Sequence, residues 1–254
     1  MNYPAETYQS YITVAQSKTS AVWYKTLLLA VFAGAFIAFG AAASNAASAT
    51  VVGGAATAVK SAVFPVGLIL VVIFGAELFT GNNLLLAPAI GRNIKISALF
   101  KNLGIVYCGN LIGSVLIALI VVYSGIQTGA VKDACVSVAA AKCNLGFGIA
   151  LLRGIPCNIL VCLAVWCALS AKSAAGKIIA LYMPIFAFVA CGFEHSVANM
   201  YYLTAGLLSG SAEGLNFGNA ILNCLIPSTL GNVIGGALIA LSLYVLHGKT
   251  KRPE

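Results

Sequence analysis

Charged side chains are scarce in this chain: they make up 8% of its 254 residues, with 14 Lys and Arg against six Asp and Glu. A soluble domain carries roughly a quarter charged residues, so the composition excludes most soluble enzymes and binding domains. Hydrophobic residues make up 61% instead. The composition therefore indicates an integral membrane protein, in which each polar side chain within the bilayer is a candidate for function.

Histidine occurs only twice, and the eight cysteines include no C-x-x-C pair. Because metal sites and redox dithiols need clustered ligands or closely spaced thiols, we expect no metal site and no cofactor. A membrane enzyme would need a nucleophile with an adjacent base, and the sequence offers no such setting, so we expect no enzymatic activity. The net charge of +8 comes from Lys and Arg between apolar segments and at the chain ends, which is typical of a membrane protein and not of a nucleic-acid-binding one.

Six apolar segments reach the length of about 20 residues that a helix needs to cross a bilayer. The second segment is interrupted at residues 75–82, and the fifth at residues 192–196. The predicted spans are residues 26–47, 61–90, 103–123, 146–169, 177–208 and 220–246. They predict an all-α integral membrane protein in which residues 1–254 form a single transmembrane domain.

Basic residues are distributed unequally between the two sides of this predicted topology. With the N-terminus inside, ten Lys and Arg lie on the inner side, whereas Lys60, Lys132 and Lys142 lie in outer loops. Positive loops stay in the cytoplasm, so both termini are expected there, in a multi-pass protein of the cell (inner) membrane. Residues 1–22 then form a cytoplasmic amphipathic helix, and residues 248–254 form a cytoplasmic tail.

The chain repeats itself in two halves. The segment G-N-L-I-G-S-V-L-I-A-L at 109–119 closely matches G-N-V-I-G-G-A-L-I-A-L at 231–241. The two interruptions match as well: Gly75, Glu77 and Asn82 recur at the same spacing as Gly192, Glu194 and Asn199. A repeat of three spans gives its two copies, residues 23–124 and 145–247, opposite orientations in the membrane. In such inverted repeats, paired broken helices meet near the midplane and build the permeation site.

Each interruption carries a carboxylate, Glu77 in the first and Glu194 in the second. A helix break exposes backbone groups that cannot face lipid, and we expect both Glu residues to support the breaks by accepting hydrogen bonds from freed N–H groups. Direct contact with a permeant is the alternative. His195 adjoins the second break and is able to change charge near neutral pH, so we expect it to bind the permeant or exchange protons. A neutral, hydrogen-bonded core histidine is the alternative there.

These residues resemble a known family. G-A-E-L-F-T-G-N at 75–82 and G-F-E-H-S-V-A-N-M at 192–200 resemble the two signatures of the formate/nitrite transporter family. P-C-N at 156–158, followed by L-V-C-L-A-V-W at 160–166, is similar to its fourth span. The resemblance implies a homopentamer of aquaporin-like protomers in the lipid bilayer, with one pore per protomer for small monovalent anions of weak acids.

The resemblance also implies roles for single residues. His195 matches the central pore histidine, and Thr80 matches its hydrogen-bonding partner. Lys142 matches a vestibule lysine that draws anions in, although this match crosses a variable loop. Asn158 and Asn199 match polar groups of the pore or of the breaks. Two hydrophobic constrictions are implied, an inner one of Phe64, Leu68 and Phe79 and an outer one of Leu78, Val161 and Phe188.

The identity of the permeant stays open at this stage. Small residues near the breaks and the many cysteines favour hydrosulfide slightly over formate, and nitrite comes third. The sequence does not decide whether the anion or the neutral acid crosses the constrictions. An aquaporin-like pore for neutral solutes is a further alternative, but its Asn-Pro-Ala boxes or paired pore histidines are missing from the sequence.

Overall fold

A computed structural model describes residues 1–248 of the chain, and the tail predicted at 248–254 therefore lies almost entirely outside the described residues. Within this part of the chain the structure contains helices and no strand. The helices are α1 (Pro4–Ser20), α2 (Trp23–Ser48), α3 (Gly54–Phe74), α4 (Phe79–Asn82), α5 (Leu86–Ile90), α6 (Ile96–Tyr123), α7 (Gly129–Cys143), α8 (Phe147–Ser170), α9 (Ala174–Ala190), α10 (Ser196–Ser209) and α11 (Phe217–Gly248).

Five helices of this described region are long and apolar enough to cross a bilayer: α2, α3, α6, α8 and α11. The chain is therefore an all-helical, multi-pass membrane protein. The fifth segment predicted from the sequence, 177–208, is divided between α9, with 17 residues, and α10, with 14. Neither helix is long enough to cross a bilayer alone, because about 20 residues are needed.

The chain leaves the helical conformation within both segments where the sequence predicts an interruption. After α3, Gly75 adopts a left-handed conformation with φ of 77°, and helix resumes at Phe79. After α9, Gly192 has φ of 68°, and helix resumes at Ser196. Glycine tolerates positive φ because it has no Cβ, so both turns use the residue that ends a helix most readily.

Helix α7 was not predicted, because the sequence between the third and fourth spans reads as an outer loop. Its 15 residues are too few and too polar for a membrane-spanning pattern. Lys142 consequently lies in the last turn of a helix, which fixes its position more firmly than a variable loop would. Cys135 and Cys143 on the same helix are buried free thiols.

Helix α1 buries one stripe of side chains. Tyr8, Tyr11 and Ala15 are almost fully buried and follow the spacing of three and four residues that places them on one face. This face packs on α5, α6, α8 and the end of α11, and the Tyr8 hydroxyl donates to the Ala87 carbonyl oxygen at 3.3 Å. Helix α1 is therefore an integral part of the packed structure.

Two helix pairs, α2 with α6 and α8 with α11, form the most extensive contacts. Both pairs approach closely at a glycine of the repeated motif. A Cβ atom at Gly113 would overlap the Val31 carbonyl oxygen of α2, and one at Gly235 would overlap the Ile155 carbonyl oxygen of α8. Small residues allow membrane helices to pack this closely.

Replacing Gly113 by alanine is expected to destabilise the protein by about 1–3 kcal/mol, because the added methyl group meets backbone that cannot rotate away. The midpoint of thermal unfolding of the purified protein measures this. Gly104→Ala in the same helix is the matched control, since its Cβ would have no described atom within 4 Å, and we expect no decrease. Equal midpoints for the two variants would contradict the close packing.

Candidate functional site

The two interruptions bring Thr80 and His195 together in the interior. Thr80 lies in the first turn of α4, and His195 immediately precedes α10. Thr80 Oγ1 and His195 Nε2 are 2.9 Å apart, and the two residues are 0% and 3% exposed. The structure thus pairs the two polar side chains that the sequence proposed for the centre of a pore.

The second ring nitrogen of His195 determines which tautomer is present. Its Nδ1 accepts the backbone N–H of Ala198 at 3.1 Å and so caps the N-terminus of α10. A backbone amide can only donate, so Nδ1 carries no proton and Nε2 carries it. His195 is therefore a neutral imidazole that donates through Nε2 to Thr80. The hydroxyl hydrogen of Thr80 is then directed to some other acceptor.

An asparagine braces the first interruption. Asn110 on α6 donates through Nδ2 to the carbonyl oxygens of Ala30, at 2.8 Å, and Glu77, at 2.9 Å. Its Oδ1 accepts the backbone N–H of Phe79 at 2.9 Å, at the start of α4. The side chain thus ties helix α2 to the break and pairs two backbone groups of the interruption, the Glu77 carbonyl and the Phe79 N–H, which are costly to bury unpaired.

Asn232 on α11 makes the equivalent contacts at the second interruption. Its Nδ2 donates to the carbonyl oxygens of Gly154, at 2.8 Å, and Glu194, at 2.9 Å, and its Oδ1 accepts the Ser196 N–H at 2.8 Å. Asn110 and Asn232 were not predicted as site residues. The sequence repeat could have identified them, because both are the second residue of the repeated Gly-Asn motif at 109–119 and 231–241.

The side chains of Glu77 and Glu194 form ion pairs, not the predicted contacts with freed N–H groups. Glu77 Oε1 lies 3.0 Å from Lys18 Nζ, and Glu194 Oε2 lies 2.8 Å from Lys142 Nζ. Each carboxylate also accepts an amide hydrogen bond from the asparagine five residues later, Asn82 or Asn199. The role expected for the two Glu side chains is therefore corrected. The side-chain amides of Asn110 and Asn232 bond the backbone groups of the two interruptions, and the carboxylates do not.

Lys142 is held as a charged group. Burial lowers the pKa of an ammonium group, but the adjacent Glu194 carboxylate outweighs this effect, and the pKa of Lys142 lies above its ordinary value. Its Nζ also lies 5.3 Å from the centre of the Tyr202 ring. Lys18, the matching partner of Glu77, was predicted only as one of the inner basic residues.

Two cavities adjoin the Thr80–His195 pair: His195 lines one, and Leu78 and Gly81, which lie close to Thr80 in the chain, line the other. The Lys142-side cavity, of about 260 Å³, is lined by Lys142, Glu194 and His195 among others. The Lys18-side cavity, of about 540 Å³, is lined by Lys18 and Glu77, with further basic side chains from Lys25 and Lys177. Each cavity therefore contains one lysine–glutamate pair.

Apolar side chains line each cavity, in a different grouping from the expected one. The Phe64 ring centre lies 5.6 Å from that of Phe188, which lies 5.8 Å from that of His195, and both Phe residues line the Lys142-side cavity. Leu68 and Leu78 line the Lys18-side cavity. Phe64 and Leu78 are thus exchanged relative to the resemblance. Phe64 lies one turn of α3, about 6 Å, before Leu68 along the helix axis. Leu78 comes after the C-terminal end of α3, on the side of Leu68 and away from Phe64.

The remaining predicted residues lie in the surrounding wall. Phe79 is 6% exposed and its ring centre lies 4.9 Å from that of Tyr107, while Val161 is 1% exposed in the same apolar core. Asn158 donates to the Asn232 carbonyl oxygen at 2.7 Å. The Oδ1 atoms of Asn158 and Asn199 are buried without a partner among residues 1–248.

Within the same residues, no group of three or more His, Cys, Asp or Glu side chains has a geometry that would hold a metal ion. The polar groups described above are hydrogen-bond donors, hydrogen-bond acceptors and paired charges.

Comparison with known proteins identifies the family. The formate/nitrite transporter family matches residues 5–246. YrhG, an uncharacterised transporter of Bacillus subtilis (strain 168), is 43% identical over 204 residues, 79% of this chain and 75% of the relative. A probable formate transporter of Methanothermobacter thermautotrophicus is 39% identical over a 267-residue alignment that covers 95% of each chain.

A solved structure of a pentameric formate channel with formate bound is 35% identical and has a TM-score of 0.82, covering 88% of this chain and 96% of its own. The family is one of transporters, which confirms that the chain is not an enzyme. The resemblance drawn from the two signature segments is confirmed as well. The chain belongs to the formate/nitrite transporter family.

Proposed function

We propose that the chain assembles into a homopentameric channel that passes formate through one pore in each protomer. The observation that carries this proposal is the buried Thr80–His195 pair, which two cavities adjoin, each lined by a lysine–glutamate pair. Formate replaces hydrosulfide as the leading permeant, because relatives named above are formate transporters and channels. Hydrosulfide and nitrite become competitors in the flux measurement below.

The proposed protomer has six spans in an inverted repeat. The second span combines α3 with the short helices α4 and α5, and the fifth combines α9 with α10, each broken near the midplane. The matched contacts of Asn110 and Asn232, and the matched ion pairs of Glu77 and Glu194, support two halves at residues 23–124 and 145–247. Helix α1 is an addition to the first half within one channel domain.

The proposed location is the cell (inner) membrane, with both termini in the cytoplasm. Lys18, Lys25 and Lys177 line one cavity, while Lys60 and Lys142 line the other. The side with Lys18 holds the larger share of the basic residues counted in the sequence and is therefore assigned to the cytoplasm.

The permeant crosses the centre as a hydrogen-bonded anion in this proposal. A bare anion near the bilayer centre costs at least several kcal/mol, and the apolar side chains of Phe64, Phe188, Leu68 and Leu78 exclude water around it in this proposal. Thr80 offsets part of this cost by donating its hydroxyl hydrogen, which is available because the oxygen accepts from His195. A neutral imidazole whose Nδ1 accepts the Ala198 N–H is a poor proton donor. This favours passage of formate as the anion over its protonation by His195.

Flux into proteoliposomes tests the proposal. Purified protein is reconstituted after its size in detergent has been measured, and the uptake of formate, nitrite, hydrosulfide and glycerol is compared between pH 5 and 8. We expect a pentamer that passes formate at least about tenfold faster than glycerol, since Thr80 and the paired lysines favour an anion. Faster hydrosulfide than formate would reassign the permeant. Equal flux of glycerol and formate would contradict the anion channel and favour an aquaporin-like pore for neutral solutes.

A further inference from the structure

The Lys142-side cavity contains an excess of positive charge that its ion pair does not explain. Three cationic side chains, Lys60, Lys142 and Arg153, line it together with the single carboxylate of Glu194. Lys142 lies 2.8 Å from that carboxylate and also faces the Tyr202 ring. Its charge is therefore largely neutralised at short range, and the unbalanced field of the cavity comes from the other two cations.

Lys60 and Arg153 have no carboxylate within ion-pair distance among the described residues. Lys60 precedes Phe64 by four residues on α3, and the Phe64 N–H donates to the Lys60 carbonyl oxygen at 3.0 Å. Side chains four residues apart share a helix face, so Lys60 lies one turn, about 6 Å, from Phe64 along α3, and both line this cavity. The Arg153 carbonyl oxygen accepts the Glu194 N–H at 3.2 Å, which fixes Arg153 beside the second interruption.

Asn45 supplies an independent sign that this cavity holds a polar ligand. Its side chain lines the cavity and is 3% exposed, yet neither Nδ2 nor Oδ1 has a hydrogen-bond partner among residues 1–248. A buried polar group without a partner is costly, so such groups are normally satisfied by a bound species or by ordered water. The amide group thus offers a donor to whatever enters the cavity.

We propose that Lys60, Arg153 and Asn45 form a capture site for a small carboxylate anion at the mouth of the Lys142-side cavity. Phe64 and Phe188 line the same cavity, and the Phe188 ring centre lies 5.8 Å from that of His195. An unpaired ammonium, an unpaired guanidinium and an amide N–H are the donors that a carboxylate binds best. The proposal rests on the proposed formate function and adds a second binding position to the pathway, with Lys60 and Arg153 as its cations in place of Lys142.

Formate binding to the purified pentamer tests the capture site. Line broadening of ¹³C-formate in NMR spectra, recorded at low ionic strength in lipid nanodiscs, gives the dissociation constant for wild type, Lys60→Gln, Arg153→Gln and Asn45→Ala. We expect the dissociation constant to rise about fivefold to tenfold in each charge variant, because a cation close to the anion is lost. Asn45→Ala is expected to raise it about threefold.

Lys132→Gln is the matched control. Lys132 is exposed on α7, ten residues and about 15 Å from Lys142 along the helix axis, and it lines a separate surface groove. This variant loses the same charge on the same side of the protein, and we expect a dissociation constant within twofold of wild type. Raising the ionic strength to 150 mM is expected to weaken binding more in wild type than in Lys60→Gln, since salt screens the charge that the variant lacks.

Two results would overturn the capture site: no formate binding by wild type, or dissociation constants for Lys60→Gln and Arg153→Gln equal to that of Lys132→Gln. Formate flux measured on the same wild-type preparation separates this failure from that of the proposed function. If wild type passes formate while the variants bind it normally, only the capture site is wrong. If wild type does not pass formate, the proposed function fails as well.

Discussion

Replacing Thr80 by valine is expected to reduce formate flux about tenfold to hundredfold. Valine keeps the shape of threonine but lacks the hydroxyl group that donates to the permeant in the proposed pathway. A hydrogen bond to a charged group contributes about 1.5–3 kcal/mol, and each 1.4 kcal/mol added to a barrier slows passage tenfold. The substitution also leaves the Nε2–H group of His195 without its present acceptor.

Two control variants make this result specific for the hydroxyl group at Thr80. Thr80→Ser keeps the hydroxyl group and is expected to retain at least about a third of wild-type flux. Thr204→Val removes a hydroxyl group that donates to the Met200 carbonyl oxygen at 2.7 Å within α10, and its flux is expected to equal that of wild type. Initial uptake rates in proteoliposomes with equal protein content provide the comparison. If the formate flux of Thr80→Val lies within twofold of the wild-type flux, the Thr80 hydroxyl group does not bind the permeant and the proposed role is wrong.

Substitutions of His195 are expected to separate its two hydrogen bonds. His195→Ala loses both the cap on α10 and the donor to Thr80, whereas His195→Asn keeps an acceptor that suits the N-cap position. Formate flux is expected to fall at least about tenfold in both, because Thr80 loses its polarising partner. Only His195→Ala is expected to lose stability, by about 1 kcal/mol, as a lower midpoint of thermal unfolding.

The pH dependence of these fluxes tests whether the central histidine acts as a neutral group. Since Nδ1 of His195 is bound to the Ala198 N–H, protonation would break the cap on α10. We therefore expect the ratio of wild-type to His195→Asn flux to stay constant from pH 6 to pH 8. A ratio that rises steeply toward pH 6 would show that an imidazolium form of His195 carries the anion, contrary to the proposed passage.

The sequence predicted the features of the fold and the site that depend only on neighbouring residues. Long apolar runs predicted the helices α2, α6, α8 and α11, and glycine beside glutamate predicted where α3 and α9 end. His195 was predicted because a titratable group is conspicuous in an apolar span, whereas Thr80 was assigned only through the resemblance to the family. Helix α7 was not predicted, because its 15 residues do not have the length or the composition of a membrane span.

The parts that could not be predicted depend on contacts between distant segments. Lys18 lies 59 residues before Glu77 in the chain, and nothing in its local sequence indicates that helix α1 folds back to pair them. Asn110 and Asn232 brace breaks that are 30 or more residues away. The cavity that each of Phe64 and Leu78 lines also could not be predicted, because it depends on how α3 and the chain after it pack against the other helices.

A double-mutant cycle on the central pair tests most directly that the two interruptions present one permeant site. Formate flux is measured for wild type, Thr80→Val, His195→Asn and the double variant in matched proteoliposomes. If the two side chains act as one hydrogen-bonded unit, the double variant should pass formate within about threefold of the slower single variant. A loss in the double variant equal to the product of the two single losses would show independent action and contradict the account.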